Sequence, residues 1–351
     1  MADIRSLTIE ELEEAVTACG DKKFRAAQIF DWLHVKKVSS YDEMLNVPKK
    51  LKEELTKQHD LAGLEIVDCK ISSDGTRKYL FSLGDGNLIE SVLMRYHYGN
   101  SVCISSQVGC RMGCSFCAST IDGLVRNLTA GEMLEQIYAI ERHTNEKVGH
   151  VVIMGSGEPM DNYENVIKFL RLISHPKGKN LSLRNVTVST CGLVPGINRL
   201  AEEGLGITLA LSLHASSQEK REKLMPVAKA YSVEEVLSAC DSYFEKTGRR
   251  LSFEYTLISG VNDSKEDADE LIALLRSNLS HFPSCGHINL IPVNPIEERS
   301  YESATDGAVH AFKNKLEKCG INVTIRREMG RDIDGACGQL RRRHIAVKNS
   351  D

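Results

Sequence analysis

Residues 102–117 read Val102-Cys103-Ile104-Ser105-Ser106-Gln107-Val108-Gly109-Cys110-Arg111-Met112-Gly113-Cys114-Ser115-Phe116-Cys117. A short β-prone start gives way to a glycine-punctuated loop with cysteines at i, i+4 and i+7. Four of the chain's 11 cysteines fall in this stretch, a density that means disulfides in an exported protein and metal or redox chemistry otherwise. The N-terminus, Met1-Ala2-Asp3-Ile4-Arg5-Ser6, lacks the charged-then-apolar pattern of a leader, and no run of about 18 apolar residues suggests a membrane span. A cytoplasmic enzyme that does not enter the membrane is the expectation. Thiolates bind soft metals and iron–sulfur clusters, whereas structural zinc wants four closed ligands. No fourth ligand stands at zinc-knuckle spacing here. Three thiolates on a four-iron cluster leave one iron open to a substrate or cofactor. The residues alone favour a cluster, with zinc as the alternative.

Working outward, residues 102–105 are the first of six predicted strands, followed by 151–154, 185–189, 208–213, 252–258 and 288–291. Helical patterns separate them, with capping-box signatures at Thr129/Glu132 and Ser232/Glu235 and a first-turn proline at Pro195. Successive strand–helix units predict a parallel sheet with right-handed crossovers, and an α/β fold of partial (β/α)6 barrel type or a doubly wound sheet. In either case the strand ends carry the site.

The flanks differ in pattern. Residues 1–62 read as a helical domain: Thr8/Glu11 is a capping box, and Ala26, Ile29, Phe30 and Leu33 keep helical spacing before a run at 49–57. Residues 1–60 hold ten Lys/Arg against twelve Asp/Glu, so a solvated cap is as good a reading as an RNA-binding one. Residues 63–100 form a β extension with turn signals at Asp74-Gly75 and Gly84-Asp85-Gly86-Asn87 between strands at 66–71, 78–83 and 88–94. The barrel then spans 101–325, and 326–351 form a basic C-terminal segment around a lone cysteine, Cys337. The net charge of -4 gives no global nucleic-acid footprint, so any RNA contact must come from local patches.

The cysteine loop resembles that of the radical S-adenosylmethionine superfamily, and Gly157-Glu158-Pro159 matches the element that holds the methionyl amine there. Longer stretches narrow the likeness. Residues 102–110, Arg126-Asn127-Leu128-Thr129, Met154-Gly155-Ser156-Gly157-Glu158-Pro159, Leu211-Ser212-Leu213-His214-Ala215 and the run 332–340 resemble the bacterial 23S rRNA/tRNA adenine-C2 methyltransferase family. The matches run from about residue 90 to 340, and the N-terminus is similar to the family's accessory RNA-binding domain. Departures are small: Ser156, Cys191, Val293 and Gly335 replace the family's usual residues.

The resemblance implies a partial radical S-adenosylmethionine barrel holding one 4Fe–4S cluster on Cys110, Cys114 and Cys117. It implies two molecules of S-adenosylmethionine per turnover. Gly157, Glu158, Ser189, Ser212, Leu213, His214 and Asn294 correspond to the contacts to that molecule. Cys337 corresponds to a methyl carrier, alkylated by one S-adenosylmethionine and turned by the second into a carbon radical that adds to the adenine. Cys103 corresponds to the resolver that attacks the Cys337 sulfur, releasing RNA and leaving a disulfide. Glu90 corresponds to the proton acceptor. The strand pattern puts Leu88, Glu90, Val92 and Met94 on one face, so Glu90 is expected as a lone charge whose desolvation raises its pKa. The implied partners are 23S rRNA, tRNA and a flavodoxin-type reductant; nothing in the sequence demands more than a monomer.

Two rivals stay open. A C8 adenine methyltransferase conferring antibiotic resistance shares all five cysteines, although the surroundings of Arg326-Arg327 and Asn162–Val166 look closer to the C2 enzymes. A non-catalytic, metal-dependent RNA-binding module is the alternative from another class. Cys19, Cys69, Cys191, Cys240, Cys285 and Cys319 read as structural, and arginines 326, 327, 331 and 341–343 as phosphate contacts beside Cys337.

Overall fold

In the computed structural model, which describes residues 2–61, 63–296, 298–327, 329–333 and 338–348, the chain opens on a helical segment. Strand β1 (Ala2–Asp3) leads into helices α1 (Ile9–Ala18), α2 (Phe24–His34) and α3 (Lys49–Thr56), and β2 (His59–Asp60) returns to pair with β1. The expected capping box forms at α1, where Thr8 Oγ1 accepts the Glu11 N–H and the Glu11 carboxylate accepts the Thr8 N–H. Ala26, Ile29, Phe30 and Leu33 are all buried, as their helical spacing predicts.

Strands β3 (Glu65–Ile71), β4 (Arg77–Ser82) and β5 (Leu88–Tyr96) form an antiparallel meander through the two predicted turns. β5 pairs antiparallel with β6 (Gly99–Ile104), the strand of the cysteine stretch. A separate ribbon of β7 (Gln107–Gly109) and β8 (Leu124–Asn127) then stems the cysteine loop. Beyond it the sheet is parallel: β9 (Val148–Ile153), β10 (Val186–Thr190), β11 (Thr208–Ser212), β12 (Leu251–Leu257), β13 (Gly286–Pro292) and β14 (Val323–Ile325). The complete sheet has ten strands in the order β14-β13-β12-β11-β10-β9-β6-β5-β4-β3. All six predicted strands are present, and β14 is a seventh parallel strand whose three residues left too short a pattern to read.

Helices α4 (Ala130–Thr144), α5 (Tyr163–Ile173), α6 (Val194–Glu202), α7 (Gln218–Leu224), α8 (Val233–Thr247), α9 (Lys265–Asn278) and α10 (Asp306–Lys318) connect these strands, and α11 (Gln339–Lys348) follows. Capping boxes form at Thr129/Glu132 and Ser232/Glu235 as read, and also at Ser264/Asp267. β10 shows how the layers divide. Val186, Val188 and Thr190 are buried, whereas Thr187 and Ser189 between them are only half-buried. That two-residue alternation leaves polar side chains on one face of the strand and a continuous apolar core on the other.

The helical segment is seated on α4 by buried polar contacts. Arg5 and Glu135, both fully buried, pair at 2.8 Å, and His34 Nδ1 lies 3.2 Å from the Tyr138 hydroxyl. Among the described residues no helix is long and apolar enough to cross a membrane.

Candidate active site

A cavity of about 750 Å³ opens over the C-terminal ends of the parallel strands. Cys110, Cys114 and Cys117 line it from the loop that the β7/β8 ribbon carries. The loop is braced locally: the Cys110 N–H donates to the Gly123 carbonyl at 2.9 Å, and Thr120 Oγ1 donates to the Cys114 and Cys117 carbonyls. A further bond, from the Ser115 N–H to the Leu224 carbonyl at 2.8 Å, ties it to α7.

The donor set suits a cluster. Burial pushes the Cys110 thiol up to about 12 and the Cys114 thiol higher, and each is raised further by its neighbouring cysteines. Thiols that hinder one another's ionisation are all ionised together only against a strongly cationic partner. Among the described residues no group of three His, Cys, Asp or Glu side chains is arranged to hold a single metal ion.

Glu158 faces the same cavity, nearly fully buried. Its Oε1 accepts the Met160 N–H at 3.0 Å and its Oε2 the Cys191 N–H at 2.8 Å. Burial raises its pKa. The Thr190 and Cys191 side chains also favour its charged form, and a carboxylate is the natural partner for the ammonium group of a bound amino acid. Gly157 has φ 109°, and a Cβ there would meet Gln107 N at 2.7 Å and Ser106 Oγ at 2.7 Å. Only glycine lets the β9 loop lie this close to the β6–β7 turn.

Ser189, Ser212, His214 and Asn294 also line the cavity, and the Ser189 and Ser212 hydroxyls lie 3.2 Å apart. His214 Nδ1 accepts the Thr256 N–H at 3.0 Å, so in the neutral ring the proton sits on Nε2. Burial keeps that ring neutral, with a pKa of about 3. Leu213 is fully buried and outside the lining; it presents its backbone, through an N–H to the Glu254 carbonyl at 3.0 Å.

Cys103 lines the cavity on β6, nearly buried and packed with Val92 and Met94. Glu90 does not line it, and the expectation of a lone charge on an apolar face needs correcting. Lys78 Nζ, fully buried on the neighbouring strand, lies 3.2 Å from Glu90 Oε2. The Glu90 carboxylate also accepts the N–H groups of Gly338 and Arg341, each at 2.7 Å. Residues two apart share a face, but the partner comes from β4, where Lys78 stands opposite Val92. Cys337 lies outside the described residues, as do 334–336. The next residue, Gly338, abuts the cysteine loop: a Cβ on it would meet Ser119 N at 3.0 Å.

Several lining residues went unread in the sequence. Cys191, assigned there to structural burial, lines the cavity beside Cys114, as do Glu254 and Thr256. Only strand-end position could have signalled them. Arg326, Arg327, Arg342 and Arg343 line the cavity, but Arg341 is buried and turns towards Asp122 at 3.8 Å, so it is not the expected phosphate contact. The Arg331 side chain lies outside the described residues.

Known proteins resemble the whole chain. A family model described as the Radical SAM superfamily matches residues 104–274, and one described as the ribosomal RNA large subunit methyltransferase N-terminal domain matches residues 2–61. A probable dual-specificity RNA methyltransferase RlmN of Lachnoclostridium phytofermentans is 57% identical, covering 97% of this chain and 94% of the relative. A counterpart in Clostridium perfringens is 51% identical over 99% of each. The crystal structure of a radical SAM methyltransferase from Sphaerobacter thermophilus superposes with a TM-score of 0.91 at 42% identity, covering 97% of this chain and 99% of that one. Matched end to end at this level, the chain belongs to the RlmN family of dual-specificity RNA methyltransferases, within the radical SAM superfamily, which implies a 4Fe–4S cluster and S-adenosylmethionine.

Proposed function

We propose that this enzyme methylates C2 of an adenosine in 23S rRNA, and of an adenosine in tRNA, through a methyl group carried on Cys337. Carbon 2 of adenine is electron-poor and offers no nucleophile to a methyl sulfonium, which favours radical chemistry, and the family resemblance supplies the methyl carrier. One observation carries the reading. Cys103 and the cluster-type cysteines line one cavity, and Gly338, covalently next to Cys337, packs against Ser119 just beyond Cys117.

When bound, the cluster and S-adenosylmethionine supply the methyl group and a primary carbon radical. The chain does the rest. Cys110, Cys114 and Cys117 hold the cluster; Glu158 takes the methionyl ammonium; Ser189, Ser212, Leu213, His214 and Asn294 orient the remainder. Cys337 brings the methyl carbon to the base, and Glu90, beside the first turn of α11, accepts the ring proton. Cys103 then attacks the Cys337 sulfur: the S–S bond forms as the bond from that sulfur to the product carbon breaks, and the electron pair leaves on that carbon, which takes up a proton, so a Cys103–Cys337 disulfide remains. Two electrons from a flavodoxin-type reductant restore both thiols. Arg326, Arg327 and Arg343 line the cavity with positive charge that suits an RNA backbone, while Arg342 is paired with Glu298 at 3.0 Å.

Anaerobically reconstituted enzyme, given 23S rRNA fragments and tRNA transcripts, should yield 2-methyladenosine in both by mass spectrometry. A purely 8-methyl product sinks the C2 assignment, and unmodified tRNA sinks the second substrate. Failure to form deoxyadenosine under reductant would overturn catalysis altogether. With Cys103→Ala, a covalent RNA–protein adduct should accumulate through Cys337; its absence in an otherwise active enzyme removes the resolving role.

A further inference from the structure

Arg221, on α7, is among the largest side chains with no exposure to solvent. Its Nε donates to the Leu213 carbonyl at 3.3 Å, and its Nη2 to the carbonyls of Cys191 at 2.6 Å and Ser212 at 3.4 Å. Its Nη1 is buried without a hydrogen-bond partner. Among the described residues no carboxylate pairs with it, and the ionisable groups nearest to it are the buried thiols of Cys191, Cys114 and Cys240.

Other buried cations in the chain are treated differently. Arg5 pairs with Glu135 at 2.8 Å, Lys78 with Glu90 at 3.2 Å and Lys179 with Glu141 at 2.5 Å. Burying an ion costs several kcal/mol unless an opposite charge offsets it, and a guanidinium is too basic to escape by losing its proton. Carbonyl dipoles solvate Arg221 but do not neutralise it. Among the described residues no side chain supplies its counter-charge, which leaves room for a bound anionic group to do so.

The surroundings say what. Leu224, one turn after Arg221, packs in one apolar cluster with Cys114 and Cys191, and its carbonyl takes the Ser115 N–H at 2.8 Å. Cys191 is shared: its N–H donates to Glu158 and its carbonyl accepts from Arg221. This cation, without a carboxylate partner among the described residues, thus stands behind the Cys114 arm of the cysteine loop, on the same scaffold as Glu158. A cubane ligated by three thiolates is a net anion, and it becomes more negative by one charge when it accepts an electron.

We propose that Arg221 is a positioning residue that provides the fixed counter-charge of the iron–sulfur cluster and thereby keeps the cluster reducible. This rests on the reading of Cys110, Cys114 and Cys117 as cluster ligands. A fixed positive charge favours the more negative, reduced form of a neighbouring cluster. The same charge is a burden when no cluster is present, because nothing then offsets its desolvation.

The test uses the full chain, anaerobically reconstituted, without RNA, as wild type, Arg221→Met and Arg221→Lys. Cluster reduction is followed by electron paramagnetic resonance in a reductive titration. Arg221→Met should lower the ratio of reduced to oxidised cluster at a fixed potential at least tenfold, which is about 59 mV for a one-electron couple. Arg221→Lys, which keeps the charge but loses the carbonyl fork, should stay close to wild type. An unchanged midpoint in Arg221→Met overturns the inference. Thermal melts supply the second readout. Cluster-free Arg221→Met should be at least as stable as cluster-free wild type, and its gain in Tm on loading should be smaller. If that variant fails to fold without the cluster, Arg221 is a clamp already satisfied by its three carbonyls, and the inference falls. Loss of S-adenosylmethionine binding at an unchanged potential would reassign the cation to the methionyl carboxylate, which also overturns it. A wild type that takes up no iron would instead refute the cluster reading, and this inference with it.

Discussion

The Glu90 carboxylate closes the N-terminus of a helix 248 residues further along the chain: Oε2 accepts the Gly338 N–H at 2.7 Å, and Oε1 the Arg341 N–H at 2.7 Å. In a capping box two residues of the helix itself share these tasks. Here one side chain from β5 performs both, while Lys78 balances its charge. The start of α11, which follows Cys337, is thereby fixed to the antiparallel meander.

Replacing Glu90 separates its roles. Glu90→Ala removes the carboxylate facing a buried ammonium and both N–H acceptors, and should cost about 3–5 kcal/mol. Denaturant melts check the total, and hydrogen exchange at Gly338 and Arg341 should speed up most. Unchanged exchange there would contradict the cap. Glu90→Gln keeps one acceptor oxygen and should cost less, about 1–3 kcal/mol. If Glu90 is also the proton acceptor, Glu90→Gln stops turnover while α11 stays protected.

Gly338 has φ 85°, and an added Cβ would stand 3.1 Å from Ala118 Cβ and 3.0 Å from Ser119 N. Gly338→Ala should therefore weaken the first turn of α11 by about 1–2 kcal/mol, from left-handed strain alone. Trypsin should cut faster at Arg342 and Arg343, with the global melt nearly unmoved. Equal cutting rates would mean that the strain is absorbed elsewhere.

Acidity should loosen the N-terminal helices. Burial, aided by the Arg5 charge and then by His175, holds His34 at a pKa of about 3. Tyr138 and Phe30 are its other neighbours, and Arg5 is itself paired with Glu135. The unfolded chain takes up a proton near pH 6.5 that the folded chain refuses until about 3, so stability falls as the pH drops through that window. Below about pH 6 the slope from His34 should approach 1.4 kcal/mol per pH unit. Chemical denaturation at pH 7.5 and 5.0 should show a smaller loss in His34→Phe than in wild type; parallel curves would refute this.

The other side of the Cys337 segment is held by the β3–β4 turn. Asp332 accepts from the Ser72 hydroxyl and, at 3.0 Å, from the Ser73 N–H, while Asp74 accepts the Gly330 N–H at 3.1 Å. Hydrogen bonds from Thr76, Gly330 and Ser72 outweigh partial desolvation and lower the Asp74 pKa to about 2. Asp332→Ala should leave the melting temperature almost unchanged, because the group is at the surface. Proteolysis after Arg326 and Arg327 should nevertheless accelerate severalfold, and equal rates would show that Asp332 does not tether the segment.

Much of the architecture was legible in local pattern. The β-prone runs and their spacing announced six parallel strands, and Thr8, Thr129 and Ser232 marked helix starts because a hydroxyl and a glutamate three residues apart satisfy the same N–H groups in any context. β14 escaped, being too short to show an alternation, and so did the Ser264 cap, whose partner is an aspartate. At the site, the cysteine spacing was readable because it lies within one short loop, whereas Gly157-Glu158-Pro159 by itself reads as a loop and gained its role from the family resemblance. Cys191 was not readable, since lining a cavity depends on where its strand ends among the others.

By itself, then, the sequence determined the order of elements, which residues share a face and which loops carry chemistry, because periods of 3.6 and 2 are local properties of the backbone. Only the tertiary structure decided who meets whom across the chain. Strand order brings Lys78 to Glu90, and the return of the chain after β14 brings Gly338 to the same carboxylate. Packing of α7 beneath the strand ends leaves Arg221 buried beside Cys114 without a carboxylate among the described residues. Such pairings follow from register and burial summed over the whole core, and no window of sequence contains them.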